Sequence, residues 1–76
     1  MREWLKAMRA KYGLSQTDMA ERLTISPPYY CEIERGTRQP DMAYSMMEKI
    51  ANALGVPVQV IIEAEKEYKS NVTKAF

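Results

Sequence analysis

Few side chains of this 76-residue chain could do chemistry. There is no His and a single Cys, Cys31, so neither an ordinary metal-ligand set nor a Cys–His dyad can be assembled, and no internal disulfide can form. No carboxylate pair sits in a recognisable cleft motif, and no glycine-rich loop is present to cradle a phosphate. The expectation is a protein that is not an enzyme and takes no metal and no cofactor. What remains is the chemistry of recognition, concentrated between Gln16 and Gln39. A Gln amide at Gln16, beside the free N–H groups of a helix start, can meet an oxyanion. Pro27, Pro28 and Tyr29 offer flat apolar surface, while Glu32 accepts hydrogen bonds and repels anions.

Two short helices joined by a tight turn must position these groups. The first puts Met19, Ala20 and Leu23 inward; Ile25 follows the turn, and the second puts Tyr30 and Ile33 inward, three residues apart. A small side chain at Ala20 lets the two helices approach closely at a steep angle, the signature of a helix-turn-helix. Ser15 is a good N-cap for the first, and Asp18 three residues later makes a capping box with Asp in place of Glu or Gln. Thr24 occupies the turn, where a β-branched residue dislikes a left-handed backbone. Ser26 caps the second helix. Pro27 suits its first turn, but Pro28 disfavours a helical Pro27, so the helix is predicted to begin one residue late, with Pro27 as its entry residue.

Around this unit the periodicity predicts three more helices. Trp4, Leu5, Met8 and Tyr12 form an apolar stripe over residues 2–12, ended by Gly13. A fourth helix starts at Asp41 as N-cap or at Met42. It carries Met46, Ile50 and Leu54 inward with Met42, Met47, Ala51 and Ala53 beside them, and stops at Gly55. A fifth begins near Pro57 with Val58, Ile61 and Ile62 inward. Val60 is spare apolar content that could face a partner, and Tyr68, Val72 and Phe76, four apart, either extend the helix or fray. The fold class is all-α, five helices in one small domain at residues 1–67, with 68–76 as a C-terminal tail, helical or frayed.

Charge is nearly balanced, 11 basic residues against 10 acidic, which excludes a polybasic or histone-like protein. Seven basic residues face five acidic ones in residues 1–40, and four face five in 41–76, a small bias toward the half that holds the helix pair. No apolar run approaches ~20 residues and the N-terminus is charged rather than signal-like. A cytoplasmic protein, without a membrane partner, is expected.

The run Gln16 to Leu23, followed by Ile25-Ser26 and by Ile33-Glu34-Arg35-Gly36, resembles the phage-repressor type of helix-turn-helix (the Cro and lambda-repressor-like DNA-binding domains) over roughly Trp4 to Ile62. The resemblance implies a compact lambda-repressor-like domain whose second and third helices form the motif. It implies a sequence-specific regulator of transcription, most simply a repressor of phage or bacterial type, binding double-stranded DNA as a homodimer on a palindromic operator. By position it assigns the DNA face to Gln16, Thr17, Ser26, Pro27, Pro28, Tyr29, Glu32, Thr37, Arg38 and Gln39, with Arg38 the best phosphate ligand. The family often carries Gln, Arg, Lys, Ser or Thr where this chain has Pro28, Tyr29 and Glu32. Proline and the Tyr29 ring can pack on a thymine methyl, and Glu32 can accept from cytosine N4, so base contacts would be few and partly apolar. The same departure keeps open a protein-interaction module on this fold: an antitoxin, antirepressor or adaptor. In the family a Glu at the place of Glu34 pairs with an Arg of the first helix, and Arg9 stands where that Arg is expected. A chain this short leaves regulation to a partner protein, abundance or degradation.

Overall fold

A computed structural model describes residues 1–74, with side chains to Asn71; Val72 and Phe76 of the expected tail stripe thus have side chains outside the described residues. Five helices follow one another: α1 (Glu3–Lys11), α2 (Gln16–Leu23), α3 (Pro27–Arg35), α4 (Tyr44–Leu54) and α5 (Val58–Lys74). The described residues hold no strand. Pairs α2–α3 and α4–α5 pack most closely, α4 backs α2, and α1 bridges α3 and α5. The core between them is Leu5, Met19, Ala20, Leu23, Tyr30, Ile33, Met42, Met46, Ile50, Ala51, Ala53, Leu54 and Ile61. Tyr12, placed by periodicity on the α1 stripe, lies beyond the last helical residue and is exposed.

Local chemistry fixes the motif. Ser15 Oγ accepts from Asp18 N at 3.0 Å, while the Asp18 carboxylate accepts from Ser15 N at 2.9 Å. That backbone donor holds the Asp18 carboxyl below its usual range. Thr24 ends α2 at φ 59°, ψ 43°, fully left-handed. A β-branched residue there stores strain of roughly 1–2 kcal/mol. Thr24→Asn keeps the backbone and relaxes it, so thermal or urea unfolding should show a gain of roughly 0.5–1 kcal/mol; a loss would mean that the Thr24 side chain makes a compensating contact.

Two helix starts differ from expectation. Helix α3 begins at Pro27, with Pro28 also inside its first turn, rather than one residue later. Neither missing N–H would have had an intrahelical acceptor, and Ser26 Oγ takes the next donor, Tyr29 N, at 3.3 Å. Helix α4 begins at Tyr44 with Ala43 at its N-cap, not at Asp41 or Met42. Asp41 instead pairs with Lys69 of α5, and Met42 is drawn into the core before the helix starts. The Gln39 side chain secures the entry, its Oε1 accepting from Ala43 N at 3.2 Å.

Candidate functional site

Two groups of polar side chains gather along α3, one inside and one outside. The inner group is centred on Glu34, only 3% exposed. Arg9 Nε donates to Glu34 Oε2 at 2.6 Å and Arg9 Nη1 to the Leu14 carbonyl at 2.8 Å. Gln16 Nε2 donates to Glu34 Oε1 at 3.1 Å, and Cys31 Sγ lies 3.1 Å from Gln16 Oε1 as donor. Gln16 therefore spends its amide inside the protein and joins the start of α2 to α3. Burial pushes the Glu34 carboxyl up, but the Arg9 guanidinium, with the Gln16 amide, outweighs it and holds the carboxyl below its usual value. Tyr30 is fully buried alongside, and its hydroxyl has no hydrogen-bond partner among the described residues. Burial first, and then the neighbouring Glu34 carboxylate, push that phenol's pKa up. Because an unsatisfied buried hydroxyl is unfavourable, Tyr30→Phe should be neutral or stabilise by up to ~1 kcal/mol in chemical denaturation. A loss above ~1 kcal/mol would reveal a hydrogen bond to Glu34.

The outer group joins Tyr29 and Glu32 of α3 to the loop that follows the helix. Arg38 Nε donates to Glu32 Oε2 at 2.7 Å, and the Arg38 guanidinium lies 5.2 Å from the Tyr29 ring centre. Gln39 Nε2 donates to the Tyr29 hydroxyl at 3.3 Å, and Thr37 Oγ1 donates to the Glu32 carbonyl at 3.2 Å. The structure thus brings Tyr29, Glu32, Thr37, Arg38 and Gln39 into one patch in which Glu32 is already neutralised. Arg38 remains 56% exposed in its side chain. Pro27 and Pro28 are exposed on the first turn, with Ser26 engaged as the cap. Thr17 is exposed at the start of α2, apart from this patch.

One residue pair escaped the sequence reading. Arg2 is fully buried, and all five of its guanidinium N–H donors are used. Nε and Nη2 meet Glu65 Oε1 and Oε2 at 2.9 Å each; Nη1 reaches the Ile33 and Arg38 carbonyls at 2.7 and 3.2 Å; Nη2 also reaches the Gln39 carbonyl. Trp4 Nε1 donates to Glu65 Oε1 at 3.2 Å, and the Arg2 guanidinium lies 5.3 Å from the Tyr68 ring centre. The Arg2 backbone N–H closes the end of α3 on the Glu34 carbonyl at 2.7 Å. The available signal was Glu65, a carboxylate on the inward stripe of α5, four residues after Ile61. Among the described residues no cluster of three or more His, Cys, Asp or Glu could hold a metal ion.

Comparison with known proteins follows the same boundaries. Residues 5–61 match the family described as helix-turn-helix. The chain is 38% identical over 63 residues to the uncharacterized HTH-type transcriptional regulator YqaF of Bacillus subtilis, covering 83% of this chain and 80% of that protein. It is 34% identical over 77 residues to the immunity repressor protein of Bacillus phage phi105, covering 92% of this chain and 52% of the repressor. A second B. subtilis regulator, YqaE, is 36% identical over 67 residues, covering 88% and 56%. The chain thus spans most of the first relative and about half the length of the other two. No solved structure matches.

Proposed function

The chain belongs to the helix-turn-helix family, and on that premise we propose that it is a sequence-specific double-stranded DNA-binding regulator of transcription, acting in the cytoplasm as a repressor. It lays α3 in the major groove and works as a homodimer on a palindromic operator. The observation that carries this reading is the match over residues 5–61, which takes in the whole α2–turn–α3 unit and the loop bearing Arg38. The names of the relatives, HTH-type regulators and a phage immunity repressor, support it. Helix α5 leaves Val60 exposed, which favours pairing of two copies there. Among the described residues no helix is long and apolar enough to cross a membrane.

In this reading α3 meets base edges through Pro27, Pro28 and Tyr29. Glu32 does not read a base as a bare carboxylate, because Arg38 holds it. Arg38, Thr37 and the start of α2 at Gln16 and Thr17 track the phosphates, the first by charge and the last by its free N–H groups. Gln39 steadies the loop from within.

The test is selection of bound sequences from a random duplex library at low salt, repeated at higher salt. Enrichment of a palindrome with half-sites about one helical turn apart would support the dimeric regulator. A single enriched half-site would keep DNA and remove the dimer. Weak binding, uniform across sequences, would favour a protein partner on Pro28, Tyr29 and Glu32, whose apolar and acidic character is unusual for a DNA face. With an enriched duplex in hand, Arg38→Ala should weaken binding about equally for all sequences. It should also lower the log–log salt slope by about one phosphate contact.

A further inference from the structure

Loops that grip phosphate must hold their donors in place before the ligand arrives, because a flexible loop gives up affinity in being ordered. The loop after α3 is tied to that helix by its own side chains, Thr37 and Arg38 to Glu32 and Gln39 to Tyr29, but these bonds do not hold the carbonyls of Arg38 and Gln39. Gln39 sits at φ 54°, a left-handed backbone, and Gly36 at φ 88°. The hold on those carbonyls comes from the N-terminus, backed by α5. Arg2 takes the carbonyls of Ile33, Arg38 and Gln39. Glu65 holds Arg2 by both carboxylate oxygens. The Tyr68 hydroxyl would lie 2.6 Å from a Cβ placed on Gly36, so the loop passes directly under α5. Lys69 reaches the Pro40 carbonyl at 3.4 Å and pairs with Asp41.

Resting on the DNA-binding reading above, we infer that Arg2, held by Glu65, is a positioning residue for DNA binding: it fixes the carbonyls of Arg38 and Gln39 and so sets the Arg38 side chain toward the phosphate backbone. Arg2 never touches DNA in this arrangement, being fully buried. Its effect passes through two successive peptides, Arg38–Gln39 and Gln39–Pro40, whose carbonyls it holds. Lysine cannot replace it. An ammonium has three donors against five acceptors, and no fork to span a carboxylate and three carbonyls.

The experiment compares wild type, Arg2→Lys, Arg38→Ala and the double variant, at a temperature where circular dichroism shows each to be folded. Amide hydrogen exchange is read at Thr37, Arg38 and Ala43, with Met19 and Tyr30 as references, and affinity for a selected duplex is read across a salt series. The expected result has two parts. Arg2→Lys speeds exchange of the loop amides tenfold or more relative to the references. It also lowers the salt slope by about one phosphate (~0.9), as Arg38→Ala does, with no further drop in the double variant. Loop exchange that rises only in step with the references overturns the positioning role, leaving Arg2 a matter of stability. A loosened loop with an unchanged slope overturns its part in DNA binding. If wild type binds no duplex, the regulator reading fails and the DNA half of this inference with it, while exchange still decides whether Arg2 holds the loop. Should Arg2→Lys not fold, Glu65→Gln, which keeps the guanidinium and loosens its hold, is read in the same way.

Discussion

Arg2→Ala is expected to lose roughly 3–5 kcal/mol of folding stability, the range for orphaning a buried charge. Arg2 and Glu65 have side chains 0% and 3% exposed, so removing the guanidinium leaves the Glu65 carboxylate in the interior without a counter-charge. The carbonyls of Ile33, Arg38 and Gln39 lose a donor in the same step. A domain of this size holds about 5–15 kcal/mol in all, so the variant sits at the margin of folding, and its melting temperature should fall by at least ~12 °C. Circular dichroism melts of wild type and variant decide it, and a loss under ~1 kcal/mol would mean that water reaches Glu65. The companion change is more telling. Arg2→Met with Glu65→Leu removes both charges and refills the space, so it should recover much of the loss. The recovery stays incomplete because the three carbonyls remain without Arg2.

That pair also marks the boundary of what the sequence can reveal. The helix-turn-helix was readable because its determinants are local: Ser15 with Asp18, Ala20 at the crossing, Ser26 before two prolines, and Gly36 after α3 at φ 88°. The starts of α3 and α4 were less readable. Rules for the residue before a proline, and for Asp as an N-cap, describe preferences that the rest of the structure can overrule. At Pro27 the helix has no use for the missing donors; at Asp41 a cation 28 residues away outbids the helix end. The outer patch on α3 and its loop was legible as a set of residues but not as a network. Nothing in the order Tyr29, Glu32, Arg38, Gln39 says that Arg38 lies over Tyr29 and binds Glu32, since that depends on a loop geometry fixed by Arg2. Arg2 and Glu65 lie 63 residues apart, beyond any periodicity. Gln16 shows the converse: a residue at a helix start looks available to a ligand until its neighbour across the turn proves to be a buried carboxylate.

Glu34 should be the second large effect, and the one that makes stability depend on pH. Its carboxylate is buried and accepts from Arg9 and Gln16. Glu34→Ala leaves the Arg9 guanidinium facing an apolar gap. Because the Arg9 side chain is 14% exposed and can recover some water, a loss near ~3 kcal/mol, the low end for an orphaned buried partner, is expected. The sign of the pH effect follows from the direction of the shift. The folded carboxyl titrates below its unfolded value, despite burial, so its contribution is complete above about pH 5 and is lost as the pH falls through the folded value. Asp18, lowered by the Ser15 backbone, adds to the same acid limb. Urea unfolding of wild type between pH 7 and pH 3 should therefore show a flat region and then a decline. Glu34→Gln has no carboxyl to protonate at this site and should decline less steeply, with Asp18 still contributing. If the two curves stay parallel down to pH 3, Glu34 is not held ionised by Arg9, and the pair serves packing rather than charge.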